Sequence, residues 1–195
     1  MTTALELNSP FPPPLPLHRF TVEQYHRLAE TGVLTADDRV ELLEGWIVEK
    51  MIQRPLHGFV VGLLTEFFQT KLLPGYIVRC QLPITTEHSE PEPDMAIVHG
   101  THADYRQSHP SGQQCRLIIE VADTSLDKDH LKAAIYHAAG AQEYWIVDLN
   151  AKCLERYQFE PGSPIRQPEL IQAHEHCSLR IGSEECSLQL KQVFA

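Results

Sequence analysis

The chain of 195 residues carries 16 lysines and arginines against 26 aspartates and glutamates, a formal net charge of −10, with 43% apolar and 22% charged residues. That length and balance suit a globular protein with a sizeable core, and the acidity excludes one that grips nucleic acid through an overall basic face, leaving only a local patch or a bridging cation. No apolar run reaches the roughly 18 to 20 residues of a membrane-spanning helix, no basic segment followed by an apolar core opens the chain, and the five cysteines are scattered without a CxxC pair, so the expectation is a cytoplasmic protein with free thiols.

Residues 1–17, with the run SPFPPPLPL, are expected to form a flexible, partly polyproline arm ahead of one domain over 18–195. Thr21, with Gln24 three residues on, reads as a capping box for a helix of about ten residues stopped by Gly32. The two short alternating runs of RVELLEGWIVEK meet at Glu44-Gly45, where the glycine can supply a positive φ, and predict a β-hairpin. In HGFVVGLLTEFFQTKLL, Phe59, Leu63 and Phe67 with Val60, Leu64 and Leu72 recur at helical spacing up to Pro74-Gly75, predicting a helix packed on a sheet.

Strands are predicted at 76–84 (YIVRCQLPI), 94–98 (DMAIV) and 116–122 (RLIIEVA), the last two separated by a polar loop over 99–115. A helix from about Leu126 to Ala139, stopped by Gly140, and a strand over 143–149 (EYWIVDL) complete a crossover that makes the strands at its two ends parallel neighbours. CLERYQFE (153–160) is expected to add an antiparallel edge strand, and the remaining C-terminal residues carry little pattern. The order is that of a mixed α/β fold with one central sheet.

One residue of the 116–122 strand is out of character. Alternation puts Leu117, Ile119 and Val121 on one face and Ile118, Glu120 and Ala122 on the other, so Glu120 points into a covering layer. A buried carboxylate needs a partner. Asp94 follows Pro93 at the start of its own strand, and if the two strands pair, Asp94 and Glu120 project to the same side. Converging carboxylates repel unless a divalent cation neutralises them, and Mg²⁺ is commonly held by one or two carboxylates plus a substrate phosphate. The other reading is an ion pair between Glu120 and an arginine such as Arg79 or Arg116, and the residues alone leave both open. On the following helix Lys128, Lys132 and Tyr136 share a face beside the apolar stripe of Leu131, Ala134, Ile135 and Ala138. Lys132 therefore either reaches back towards the carboxylates or is a solvated lysine. HEHC (174–177) could suggest zinc, but no second ligand pair stands at tetrahedral spacing from it.

The stretches FTVEQYHRLAETGVLTADDRVELLEGWIVEKM, SEPEPDMAIV, HPSGQQCRLIIEVADTSLDKD and KAAIYHAAGAQEYWIVDL together resemble the Uma-two family of restriction-endonuclease-like proteins, in the family's order and over most of residues 18–160. That family is placed in the PD-(D/E)xK nuclease superfamily. The resemblance implies a restriction-endonuclease-like core, a central mixed β-sheet flanked by helices, preceded by an N-terminal helix and a β-hairpin. It implies that Pro93-Asp94 is the PD half of the signature and Glu120 its second acid. Ala122 stands where the superfamily's lysine would be. In the family that lysine is thought to lie on the following helix, where Lys132, four residues before Tyr136, matches, while the short spacing after TSL keeps Lys128 as a second candidate. Glu41 matches a family glutamate, as a further metal ligand or a support to one. His57 also matches a family position, although a histidine opening a helix can equally cap or pack. The implied activity is Mg²⁺- or Mn²⁺-dependent endonucleolytic hydrolysis of DNA by a homodimer, with Asp94, Glu120 and Glu41 on the metal and Lys132 beside the attacking hydroxide, leaving 5′-phosphate and 3′-hydroxyl ends. The alternative is a nuclease fold with little or no turnover that binds nucleic acid or protein.

Overall fold

Local signals set the N-terminal elements. In the computed structural model, which describes residues 16–194, the Thr21 hydroxyl accepts from the Gln24 N–H while the Gln24 side chain accepts from the Thr21 N–H, and this capping box opens helix α1 (Val22–Glu30). The arm expected over 1–17 lies outside the described residues except for its last two positions. Strands β1 (Val40–Leu43) and β2 (Trp46–Glu49) pair antiparallel around a two-residue turn in which Glu44 (φ 49°) and Gly45 (φ 79°) are both left-handed. Ser89 holds the strained glutamate, its hydroxyl accepting from the Glu44 N–H at 2.8 Å.

Pro55 pre-sets the first turn of helix α2 (Pro55–Gln69). The helix ends before Leu72, and its inward line is Val60, Val61, Leu64 and Phe68. Phe59, predicted to be part of the packing face, is 57% exposed instead.

The central sheet has six strands in the order β3 (Tyr76–Cys80), β4 (Met95–His99), β5 (Cys115–Ala122), β6 (Glu143–Asp148), β7 (Cys153–Gln158) and β8 (Glu169–Gln172). All neighbours are antiparallel except β5 and β6, which are joined through helix α3 (Leu126–Ala138) as the crossover requires. The expected strand at 76–84 stops at Cys80, because Gln81 turns to φ 51°. CLERYQFE is not the edge: β8 pairs beyond it. The weakly patterned C-terminal stretch contains that strand, a hairpin of β9 (His176–Ile181) and β10 (Glu184–Gln189), and the short helix α4 (Leu190–Val193).

The sheet separates two apolar layers. Leu117, Ile119 and Val121 of β5 pack with α2, the β9–β10 hairpin and α4. Ile118 and Ala122, on the opposite face, pack with Ala133 and Tyr136 of α3. α3 differs from its predicted orientation. Leu131 (71% exposed), Ala134 and Ala138 face outwards, while Asp129, Lys132, Ala133, Ile135 and Tyr136 face the sheet. No helix among the described residues is long and apolar enough to cross a membrane.

Two glycines test how tightly the crossover is packed. A Cβ on Gly112 would lie 2.4 Å from the Ala139 Cβ and 2.5 Å from its carbonyl oxygen, at the end of α3, whereas one on Gly62 in α2 would meet nothing within 4 Å. Gly112→Ala is expected to cost about 1–3 kcal/mol and Gly62→Ala to add up to about 1 kcal/mol, both read from urea denaturation.

Candidate active site

The β4–β5 register, with Met95 opposite Ile119, brings Asp94 level with Glu120. The Asp94 N–H donates to Glu120 Oε2 at 3.3 Å, and the Val121 N–H donates to Asp94 Oδ2 at 2.8 Å. Glu120 is 4% exposed and faces α3. There its Oε1 accepts from Lys132 Nζ at 2.9 Å and from the Tyr136 hydroxyl at 3.1 Å. The partner of Glu120 is thus neither arginine considered from sequence. Arg79 lies over the Tyr105 ring and beside His109, and Arg116 pairs with Glu143 at 3.0 Å.

Lys132 reaches further. Its Nζ also lies 2.9 Å from Oε2 of Glu41, a fully buried residue of β1, so one ammonium joins the sheet to the N-terminal hairpin. Lys128, one turn earlier, donates to Glu41 Oε1 at 2.9 Å, and the Glu92 N–H donates to Glu41 Oε2 at 3.2 Å. From the first turn of α2, His57 Nε2 lies 3.0 Å from Asp94 Oδ2, and its Nδ1 is buried without a partner among the described residues. All six residues singled out from sequence, Glu41, His57, Asp94, Glu120, Lys128 and Lys132, therefore line one cleft of about 790 Å³. Residues of α1 and of the loop after it also line the cleft, among them Tyr25 and His26, the latter paired with the buried Glu90 at 2.7 Å.

The residue that sequence reasoning missed is Asp129. It is 2% exposed, and its carboxylate accepts from the Ser125 hydroxyl at 2.5 Å. In a first helical turn an aspartate reads as a solvated acid suited to the helix dipole. The available signal was its place between Lys128 and Lys132, which must share its side of the helix.

Carboxylates outnumber cations here, and the proton equilibria follow. Burial pushes the Glu120 carboxyl well above the usual range; Lys132 offsets part of this, while Asp129, Asp94 and Glu41 add to it. Burial likewise lifts Asp129 to about 6. Burial would also raise Glu41, but Lys132 and Lys128 outweigh it and hold that carboxyl below its usual range. Burial alone would lower the Lys132 ammonium, and Glu120, Glu41 and Asp129 reverse this, so Lys132 stays charged. The hydrogen bond to Asp94 raises the His57 imidazole.

The donor set suits a hard divalent cation on one side only. Among the described residues none donates to Asp94 Oδ1, and Glu120 Oε2 receives only the long bond from the Asp94 N–H. Two carboxylates with the rest of the shell left to water and phosphate is a usual Mg²⁺ arrangement. Glu41 stands across Lys132 from this pair, with both oxygens engaged by Lys128, Lys132 and the Glu92 N–H. Consistent with that separation, no group of three His, Cys, Asp or Glu among the described residues is arranged to hold a metal. The HEHC stretch is split by strand alternation, Cys177 pointing into the core and His176 outwards.

A family model described as "Putative restriction endonuclease", Uma2, matches residues 22–188. Among solved structures, the crystal structure of a "putative nuclease belonging to DUF820" from Anabaena variabilis is similar in fold, with a TM-score of 0.68 and 15% identity over 90% of this chain and 97% of that one. No curated protein matches the chain.

Two variants probe the charge balance. Lys132→Met strands Glu41 and Glu120 without their shared cation and is expected to cost about 3–5 kcal/mol at neutral pH by urea denaturation. Asp129, raised from 3.8 to about 6, gives stability that is complete below about pH 4 and lost as pH rises through 6, because only the folded chain still holds the proton in that window. Asp129→Asn is therefore expected to gain about 2 kcal/mol over wild type between pH 4 and pH 7. Parallel pH–stability curves for the two proteins would contradict the assignment.

Proposed function

This chain belongs to the Uma2 family of restriction-endonuclease-like proteins, and we propose that it is a metal-dependent endonuclease that hydrolyses the phosphodiester bonds of DNA in the cleft around Asp94, Glu120 and Lys132. The observation that carries this reading is the convergence of two carboxylates, one just ahead of β4 and one within β5, beside a buried, charged lysine.

Asp94 and Glu120 would hold Mg²⁺ or Mn²⁺ on the side away from Lys132. The bound ion would supply a water of lowered pKa and polarise the scissile phosphate. Lys132, kept cationic by Glu41 and Glu120, presents a fixed positive charge on the floor of the cleft, where negative charge develops on the phosphate as it is attacked. Being already in place, that charge needs no reorganisation during the reaction. Tyr136 is fully buried and burial pushes its hydroxyl well up, so it keeps its proton and orients Glu120 by donating to Oε1. Lys128 shares the charge of Glu41 with Lys132. The acidity of the chain supports the need for a cation, since a protein of charge −10 must meet a polyanion through a bridging positive charge. The proposal includes 5′-phosphate and 3′-hydroxyl products and a homodimer that presents one site to each strand.

Labelled DNA incubated with the protein and Mg²⁺ or Mn²⁺ is expected to be cut internally, with the rate lowered about 100- to 1,000-fold in Glu120→Gln and Asp94→Asn and abolished by chelation. DNA left intact by the wild type in both metals would remove the enzyme reading and favour a nuclease fold that binds DNA or protein without turnover.

A further inference from the structure

We infer that His57 is the positioning residue of the metal site, fixing the Asp94 carboxylate so that Oδ1 is the oxygen offered to the cation; this rests on the proposed function. A carboxylate oxygen can only accept, so the His57 Nε2 at 3.0 Å from Asp94 Oδ2 carries the hydrogen of that bond. The same Oδ2 receives the Val121 N–H at 2.8 Å. The two donors come from different elements, the first turn of α2 and strand β5, and converge on one oxygen.

A carboxylate turns easily about its terminal torsion, whose energy wells are broad. With Val121 alone, either oxygen could take the backbone N–H and the other would wander. The imidazole, buried in the first turn of α2, removes that freedom. Mg²⁺ demands near-ideal octahedral geometry, so a ligand held at one angle binds it better than one that must be ordered on binding.

Packing does not account for this histidine. Its side chain is only 10% exposed, and among the described residues its single polar contact is Asp94 and Nδ1 is buried with no partner. A histidine buried for packing alone would be expected to satisfy both nitrogens, and an unpartnered one costs stability that an apolar ring of similar size would not. His57 therefore acts through Asp94. It is not itself a catalytic residue.

Mn²⁺ binding to the full chain, followed by electron paramagnetic resonance of the free ion, tests the inference independently of turnover. His57→Phe is expected to weaken Mn²⁺ binding about 10- to 100-fold while stability to urea stays equal or rises, and His57→Gln, which offers an N–H near the position of Nε2, is expected to restore most of the affinity. If His57→Phe does not fold, His57→Asn, too short to reach Asp94, takes its place in the same measurement. Unchanged affinity in the folded variant overturns the role of His57 and leaves the proposed nuclease standing. A wild type that binds Mn²⁺ no better than Asp94→Asn overturns the metal site and this inference together.

Discussion

The ammonium of Lys132, 2.9 Å from both Glu41 and Glu120, is the contact on which the rest of the site depends. A carboxylate in the middle of β5, facing a layer of Ile118, Ala122 and Tyr136, would be untenable alone. α3 answers it with a lysine, and the lysine needs a second acid because one buried cation held by one carboxylate still leaves two of its N–H donors to satisfy. Glu41 supplies that acid from a hairpin far away in sequence. The hairpin is thereby tied to the central sheet by charge, and by a backbone bridge from Leu42 to Glu90 in the loop between β3 and β4.

The same contact explains why α3 sits as it does. Its apolar residues Leu131, Ala134 and Ala138 have the spacing of a core-facing stripe, yet the face turned to the sheet carries Asp129 and Lys132 beside Ala133 and Tyr136. Periodicity assigns charged residues to water, and it fails where a buried charge awaits them. The alternation in β5 was legible because a strand has a strict period of two, so the direction of Glu120 followed from its neighbours. The pairing of Asp94 with Glu120 needed only the β4–β5 register.

What the sequence could not show came from distance and from weak pattern. Nothing near Glu41 or Lys132 in the chain announces their contact, because it forms between the hairpin and α3. β8, β9 and β10 have buried faces of one to three residues each, interrupted by polar positions, and such short runs do not stand out from loops. Thr21, Gln24 and Gly45, by contrast, act on the backbone within three residues of themselves, and the elements they set were readable. His57 fell between these cases: its place at the start of a helix was evident, but its engagement with Asp94 is a tertiary contact.

Ala122 shows why the lysine stands on a helix. Two residues beyond Glu120 on the same face of β5, it is buried against α3 among Ala133, Tyr136 and Ile146. A lysine at that point would have to displace this packing and would reach the carboxylate from along the strand. From α3, one and a half turns into the helix, the ammonium enters between β5 and the hairpin and is held from both sides. The site then draws on β1, β4, β5, α2 and α3, and the N-terminal hairpin is part of its electrostatics. Four carboxylates, Glu41, Asp94, Glu120 and Asp129, surround two ammonium groups, Lys128 and Lys132, and the deficit falls on the Asp94–Glu120 side. On that side stands the Glu120 carboxyl, raised chiefly by burial and further by Asp129, Asp94 and Glu41, and there a divalent cation would relieve the repulsion most.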